Sequence, residues 1–403
     1  MNLTESLPLP DNIQQLATPA LLLEQRKLKD NIHRLQAIAK QHNVALRTHM
    51  KTSKSADIAS LLMDDNHSSI AVSTLREAEY FAAAGWRDIL YAVSIEPRKF
   101  AQLKQFYQLN IALQVILDDI DVAEKLAVWA EQEECQVHVW IEIDTDGHRA
   151  GIKPDHNHLV PLAQVLASAN SIQFCGVMTH GGDAYNCRDW SAIQQHAAKE
   201  RDGCVYAAER IRQAGIAVGG VSIGSTPTVL AADHFDGVTE IRPGVYVFFD
   251  LFQHGLQVCE LSDIAISVAT TVIGHQRQAG RIFLDAGGLA LSKDHSTASQ
   301  PNDYHYGLVC DAQGRPLRVK DTSNDGIENS VLVNTVFQEH GVIHVSDPQL
   351  FAQLPIGTLL RILPNHACMT AAAYNHYHVI EHSEIIALWQ RCNGWMNSGE
   401  RSG

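Results

Sequence analysis

Val221-Ser222-Ile223-Gly224-Ser225-Thr226-Pro227-Thr228 reads as a short apolar strand, a glycine, two hydroxyl residues and a proline that opens a helix. The same alternation recurs upstream. Apolar runs at Ala20–Glu24, 44–51, 70–75, 89–95, 111–117, 137–144 and 172–180 are rich in Val, Ile and Leu. They mostly lack the apolar/polar alternation of a half-exposed strand, which is the pattern of a parallel sheet covered on both faces. Helix-like segments lie between them, at 25–40, at 75–84 (stopped by Gly85) and at 119–132, with Asp118 and Asp119 as natural caps. With 221–225 as the eighth strand, eight units in roughly 230 residues predict a (β/α)8 TIM-type barrel rather than a doubly wound sheet. No G-x-G-x-x-G follows any strand, which weakens a dinucleotide fold further.

The texture changes after Phe252. Strand-like runs at 261–274, 281–286, 341–345 and 359–363 are joined by Gly-, Asp- and Pro-containing loops without long helices, the pattern of a mainly β domain. The expected division is a barrel over 18–252 and a C-terminal β domain over 253–392, with 1–17 packing on the latter. A Gly/Ser/Asn-rich tail at 393–403 is expected to be flexible.

The 403 residues carry 45% hydrophobic and 19% charged residues, enough apolar material for a large core. A net charge of -14 without a basic stripe argues against nucleic acid as a partner. No run of about 18 apolar residues predicts a membrane span, and the N-terminus reads as no secretory signal. Eight irregularly spaced cysteines with no CxxC fit free thiols in a reducing, cytoplasmic setting.

In a barrel, chemistry sits at the C-terminal ends of the strands. Four ends carry unusual polar residues. Lys51, in Arg47-Thr48-His49-Met50-Lys51-Thr52-Ser53-Lys54, is either a desolvated Schiff-base former or an exposed lysine beginning a helix. Arg149, in Glu142–Gly151, either faces an anion or ring nitrogen or pairs with a nearby Asp in a turn. In Thr179–Tyr185, paired glycines let backbone approach a ligand, and His180 and Tyr185 are acid/base or positioning candidates. An ordinary βα turn is the alternative there. Gly224, Ser225 and Thr226 form a phosphate cradle or a plain capped helix. In the β domain, His366 and Cys368 are two apart and offer imidazole and thiolate to one ion, which suits zinc, although H-x-C alone is weak among 21 histidines.

Together these form a kit. Pyridoxal phosphate needs a Schiff-base lysine, a partner for its pyridine nitrogen and a phosphate clamp. A divalent ion solves the problem that hydroxide leaves poorly.

At this point the chain resembles the metal-dependent branch of the alanine-racemase-type pyridoxal-phosphate enzymes (fold type III). That branch includes D-serine dehydratase, D-threo-3-hydroxyaspartate dehydratase and D-threonine aldolase. The resemblance starts at Thr18-Pro19-Ala20. It runs through Arg47–Lys54, Glu142–Gly151, Gly176–Tyr185, Val221–Thr228, Glu240–Tyr246, Asp285-Ala286-Gly287 and Pro364–Thr370. It implies that Lys51 carries the cofactor, that Arg149 lies near the pyridine ring and that Tyr185 stands on the cofactor side. Gly224, Ser225 and Thr226 then contact phosphate, and His366 and Cys368 hold the metal. Ser53 departs from the family's usual K-T-H-K. The implied enzyme is a homodimeric lyase, and its expected reaction is loss of water from a β-hydroxy D-amino acid, of D-serine or D-threo-3-hydroxyaspartate type, to a 2-oxo acid and ammonia. Lys51 removes the Cα proton and the metal assists the β-hydroxyl's departure. Zinc is the first choice of ion, with manganese, cobalt or magnesium as alternatives. The runner-up is aldol cleavage to glycine and an aldehyde, with His180 as candidate base. A racemase, or a non-catalytic pyridoxal-phosphate carrier, is a further alternative.

Overall fold

The structure is a computed structural model that describes residues 10–63, 69–147, 149–320 and 328–395. It divides into two compact units. One is Ile32–Tyr246 with the segment from Cys392; the other is the chain up to Asn31 with Val247–Arg391.

In the first unit every strand pairing is parallel. The sheet runs in the order Ala45–Leu46, Glu240–Ile241, Gly220–Ile223, Ile172–Thr179, Val137–Ile143, Ala112–Leu117, Asp88–Ser94, Ser69–Val72 and Thr48–His49. Its two ends are one run of chain interrupted at Arg47, so the sheet curls into a nearly closed barrel. The run expected at 44–51 is thus two short pieces. Helices cover the outside, as the continuous burial of 113–117 and Gly220–Ile223 requires. Their starts are set by side-chain caps: Thr74 accepts from the Glu77 N–H, Asp119 from Val122 and Asp189 from Ala192. Inside, Trp140 packs with Ala71, Leu90, Ile116 and Met178. A Cβ on Gly220 would come within 2.6 Å of the Trp140 ring, so that glycine makes room for the indole, and one on Gly176 would come within 2.1 Å of the Gly220 carbonyl, so that glycine lets the neighbouring strand's backbone approach.

Arg47 holds the seam. Its guanidinium donates to Glu240 Oε2 at 2.7 Å and to Asp88 Oδ1 at 2.8 Å. Burial opposes its charge, but the two carboxylates outweigh burial and raise its pKa. Arg47→Met would leave Glu240, 8% exposed, as an unpaired buried carboxylate. Removing one partner of such a pair costs about 3–5 kcal/mol. Urea denaturation should register that loss, and Glu240→Gln in the same chain should recover part of it.

Two expectations about strands are corrected here. Ala20–Glu24 is not a barrel strand. It lies in the mainly β unit, antiparallel to Ile266–Gln276 and parallel to His376–Glu381. Its run of apolar residues reports burial on both faces, which a central strand of either sheet has. The barrel domain drawn from residue 18 therefore begins too early. The eighth barrel strand is instead Glu240–Ile241, too short to show a pattern. That makes Gly220–Ile223, ahead of the cradle, the seventh.

In the second unit one sheet runs Thr335–Val336, Gly341–His344, Arg281–Leu284, Ile266–Gln276, Ala20–Glu24, His376–Glu381, Glu384–Gln390. Leu359–Leu363 also pairs with Ile266–Gln276, and Leu308–Cys310 with Leu359–Leu363. Ile13 packs into its core beside Ala20, Leu22, Ala269 and Ile380, so the described part of 1–17 sits on this unit, while 1–9 lie outside the described residues. Arg361 is buried against Glu24 and Ser267. Of the tail, 396–403 likewise lie outside the described residues. No helix among the described residues is long and apolar enough to cross a membrane.

Candidate active site

Lys51 follows the Thr48–His49 strand and is half-buried. Its backbone N–H lies 3.4 Å from His49 Nδ1. Lys54 is separate: its Nζ is 3.1 Å from the buried Glu77 carboxylate. His180, after the Ile172–Thr179 strand, points Nδ1 at the Gly224 carbonyl, 3.2 Å away. A carbonyl only accepts, so Nδ1 carries the proton and Nε2 keeps its lone pair.

The electrostatics tie these strand ends together. Burial depresses the His180 pKa to about 3, and repulsion from Lys51, Arg149 and Arg242 adds to it. Burial also holds His49 well below the usual imidazole range, with Lys51, His180 and Arg242 contributing. Three cations thus converge on two neutral imidazoles at the C-terminal end of the barrel. Arg149 itself is exposed. The Tyr185 ring lies 6.4 Å from that of His180, centroid to centroid.

A pH consequence follows. Both histidines have folded pKa values below the ordinary 6.5, so the unfolded chain binds more protons. Their contribution to stability is intact above 6.5 and is lost as pH falls toward about 3. A urea midpoint falling through that window, with a shallower fall in His180→Gln, is the expected result.

The cradle is built as the residues at 224–228 dictate. Gly224 has φ +119°, a conformation that L side chains rarely adopt, and a Cβ there would come within 2.8 Å of the Val229 side chain. Ser225 caps the helix Thr226–Ala231 through a reciprocal pairing with Thr228. Thr226 Oγ1 accepts the Tyr246 N–H at 3.2 Å, which leaves its O–H to donate. One buried carboxylate links the cradle to the paired glycines: Glu200 Oε1 accepts both Gly181 N–H, at 2.6 Å, and Gly224 N–H, at 3.2 Å. Asp146 Oδ2 accepts the next two N–H groups, from Gly182 and Asp183.

Three participants went unread in the sequence. Glu200 lies mid-helix in Trp190–Gln213, where one acidic residue looks like solvated surface. Arg242 is buried and donates to Ser222 Oγ and, at 2.5 Å, to the Thr179 carbonyl. His49 stands beside Lys51 in the quoted motif. No local signal marked Arg242, because the strand it follows, Glu240–Ile241, has only two residues and one of them is charged.

A lysine can condense with an aldehyde, and two arginines with hydroxyl donors suit a phosphate, so the residues present fit pyridoxal phosphate.

The second unit holds the His366–Cys368 pair. His366 is the extended residue before the helix Ala367–Ala371, and Cys368 lies in its first turn. The His366 pKa is raised to about 11. Burial opposes this, and hydrogen bonds with Asp294, 3.3 Å from Nδ1, and with Cys368 outweigh it, helped by Asp250. Asp250 is buried and accepts the N–H groups of Ala367 and Gln253, which fixes the start of that turn. Two carboxylates and a thiol around one imidazole attract positive charge, so this donor set fits a divalent ion. Asp294 on Nδ1 leaves Nε2 for the ion, the usual arrangement behind a metal-bound histidine. Neither aspartate was singled out in the sequence.

The profile of the alanine racemase N-terminal domain matches residues 23–251, and that of the serine dehydratase domain matches 265–380. D-threo-3-hydroxyaspartate dehydratase of a Delftia species is 41% identical over 389 residues, covering 96% of this chain and all of that protein. D-serine dehydratase of Dictyostelium discoideum is 31% identical over 96% of this chain and 99% of its own length. D-threonine aldolase of Arthrobacter is 26% identical over 94% of this chain and 93% of its own. The solved structure of the Delftia enzyme superposes with a TM-score of 0.90, covering 96% of this chain and all of that one. A cysteine-to-alanine variant of a D-threo-3-hydroxyaspartate dehydratase has been solved in a metal-free form. Matched along nearly its whole length, the chain belongs to the family that joins an alanine racemase N-terminal domain to a serine dehydratase domain.

Proposed function

We propose that the chain is a pyridoxal-phosphate- and divalent-metal-dependent lyase that removes water from a β-hydroxy D-amino acid, of D-serine or D-threo-3-hydroxyaspartate type, giving a 2-oxo acid and ammonia. The observation that carries this reading is the 41% identity, end to end, with a D-threo-3-hydroxyaspartate dehydratase. The aldolase relatives are matched at lower identity, which places aldol cleavage second. The eight free cysteines agree with a reducing, cytoplasmic setting, and a homodimer is part of the reading.

When bound, pyridoxal phosphate supplies an electron sink for charge developing at the substrate Cα, and the ion supplies a Lewis acid for the leaving oxygen. The chain does the rest. Arg242 and Arg149 add positive potential around Lys51, which favours an anionic amino acid and a phosphate. Lys51 takes the Cα proton. His180, neutral and hydrogen-bonded through Nδ1 to Gly224, offers Nε2 as an acceptor without adding charge. Glu200 holds the glycine loops around it, so the imidazole and the cradle keep one arrangement. The Thr226 hydroxyl would be free to donate to the phosphate. His366 and Cys368 would hold the ion, with Asp294 orienting the imidazole.

Product analysis decides between the two lyase readings. The purified enzyme should convert D-serine or D-threo-3-hydroxyaspartate to a 2-oxo acid with equimolar ammonia. Glycine and an aldehyde, from these substrates or D-threonine, would transfer it to the aldolases.

A further inference from the structure

The second unit carries another set of metal-type donors outside the His366–Cys368 pair. His295, Asp303 and His305 each present one ligand atom within 4.8 Å of the others. His295 Nε2 lies 3.2 Å from Asp303 Oδ1, and His305 Nδ1 lies 3.6 Å from Asp303 Oδ2. Donors held about 2 Å from a tetrahedral ion are separated by about 3.3 Å; His295 meets that spacing at one Asp303 oxygen and His305 comes near it at the other.

The cluster is built rather than accidental. Asp303 Oδ1 accepts the His305 N–H at 2.8 Å and lies 3.3 Å from the Thr297 hydroxyl, which fixes the carboxylate. His305 adopts φ 47°, a left-handed conformation that is uncommon outside glycine. Tyr306 stacks on His295 at 5.2 Å with the planes 10° apart, and the two imidazoles themselves stack at 5.9 Å. Buried Asn365 then joins this loop to the neighbouring pair. Its amide donates to the carbonyls of Asp294 and His305, and its Oδ1 lies 3.3 Å from the Thr297 hydroxyl. One side chain adjacent to His366 therefore fixes both the residue that orients His366 and the loop that carries the three donors. His295 is exposed and the other two are half-buried, so an ion has an open route in.

We propose that His295, Asp303 and His305 form a second divalent-cation site. Two imidazoles and one carboxylate suit zinc, cobalt or ferrous iron and leave positions for water. The ion would clamp the 294–305 loop and, through Asn365, steady Asp294 behind His366.

The test counts metal and needs no turnover. Holoenzyme stripped with a chelator is equilibrated with zinc by dialysis, and bound ions are measured per chain. Wild type should bind two, His366→Ala one, and the triple variant His366→Ala/His295→Ala/His305→Ala none. In the His366→Ala protein, zinc should raise the melting temperature, and this shift should vanish in the triple variant. A His366→Ala protein that binds no zinc at 100 µM (roughly tenfold above a 10 µM dissociation constant) would overturn the site. So would a triple variant that keeps the ion, which would place the metal on other surface histidines. If the triple variant does not fold, Asp303→Asn in the His366→Ala chain removes the anionic ligand with little change of shape, and the same two counts apply.

Discussion

Lys51→Ala is expected to abolish turnover, with kcat lower by at least about 10⁴-fold, and to remove the visible absorption of the purified enzyme. In the proposed reaction one amine both carries the cofactor and moves the Cα proton. General base catalysis alone contributes about 10²–10⁴, and loss of the covalent attachment adds to that. The neighbouring Lys54 is not placed to substitute. Lys54, three residues on, is turned to Glu77, with Nζ 3.1 Å from that buried carboxylate. The neighbours His49 and His180 are held neutral by burial, but their imidazoles cannot form a stable Schiff base. The check is a pair of spectra and a progress curve, with Lys54→Arg as control; it preserves the partner of Glu77 and should keep both colour and activity. Added methylamine should restore part of the turnover in Lys51→Ala if the lost group is a proton-transfer amine. Unchanged absorption in Lys51→Ala would remove Lys51 from its role.

How far the site could be read from the sequence depended on what each residue does for the fold. Strand ends announce themselves, because an apolar run must stop and whatever polar residue follows is placed at the barrel mouth. Lys51, His180 and Gly224–Thr226 were legible for that reason. Glu240–Ile241 was not read as a strand, since two residues carry no period, and with it went Arg242, the buried cation that follows it. Ala20–Glu24 was misassigned because four buried apolar residues in succession look the same in a barrel as in the centre of a mixed sheet. Glu200 illustrates a deeper limit. On Trp190–Gln213 its neighbours are Lys199 and Arg201, and only the close packing of that helix against two glycine turns makes its carboxylate a buried tie rather than a surface charge. Tertiary proximity of that kind has no local signature. The same holds for Asp250 and Asp294, which reach His366 and its helix from 116 and 72 residues away.

His366→Ala should separate the role of the ion from everything else the active site does. A Lewis acid on a departing oxygen supplies several kcal/mol; at 1.36 kcal/mol per tenfold, about 4 kcal/mol is roughly a thousandfold in rate. Dehydration of D-serine by His366→Ala, or by Cys368→Ala, is therefore expected to fall about 10³-fold, and chelation of the wild type should do the same until a divalent ion is returned. The discriminating measurement uses a substrate whose leaving group needs no such help. β-Chloro-D-alanine loses chloride, a weak base, while still requiring proton removal by Lys51 and the cation-rich strand ends. In His366→Ala its elimination should stay within about tenfold of wild type. Asp294→Asn should behave as a milder version, because it leaves both donors in place and weakens only the partner of His366 Nδ1, at 3.3 Å; loss of such a support costs about 10–100-fold in metal affinity or activity. Raising the metal concentration should recover much of that loss in Asp294→Asn and none in His366→Ala. If D-serine and the chloro analogue instead decline together in His366→Ala, the pair supports the fold or the cofactor site, and the Lewis-acid step has no basis.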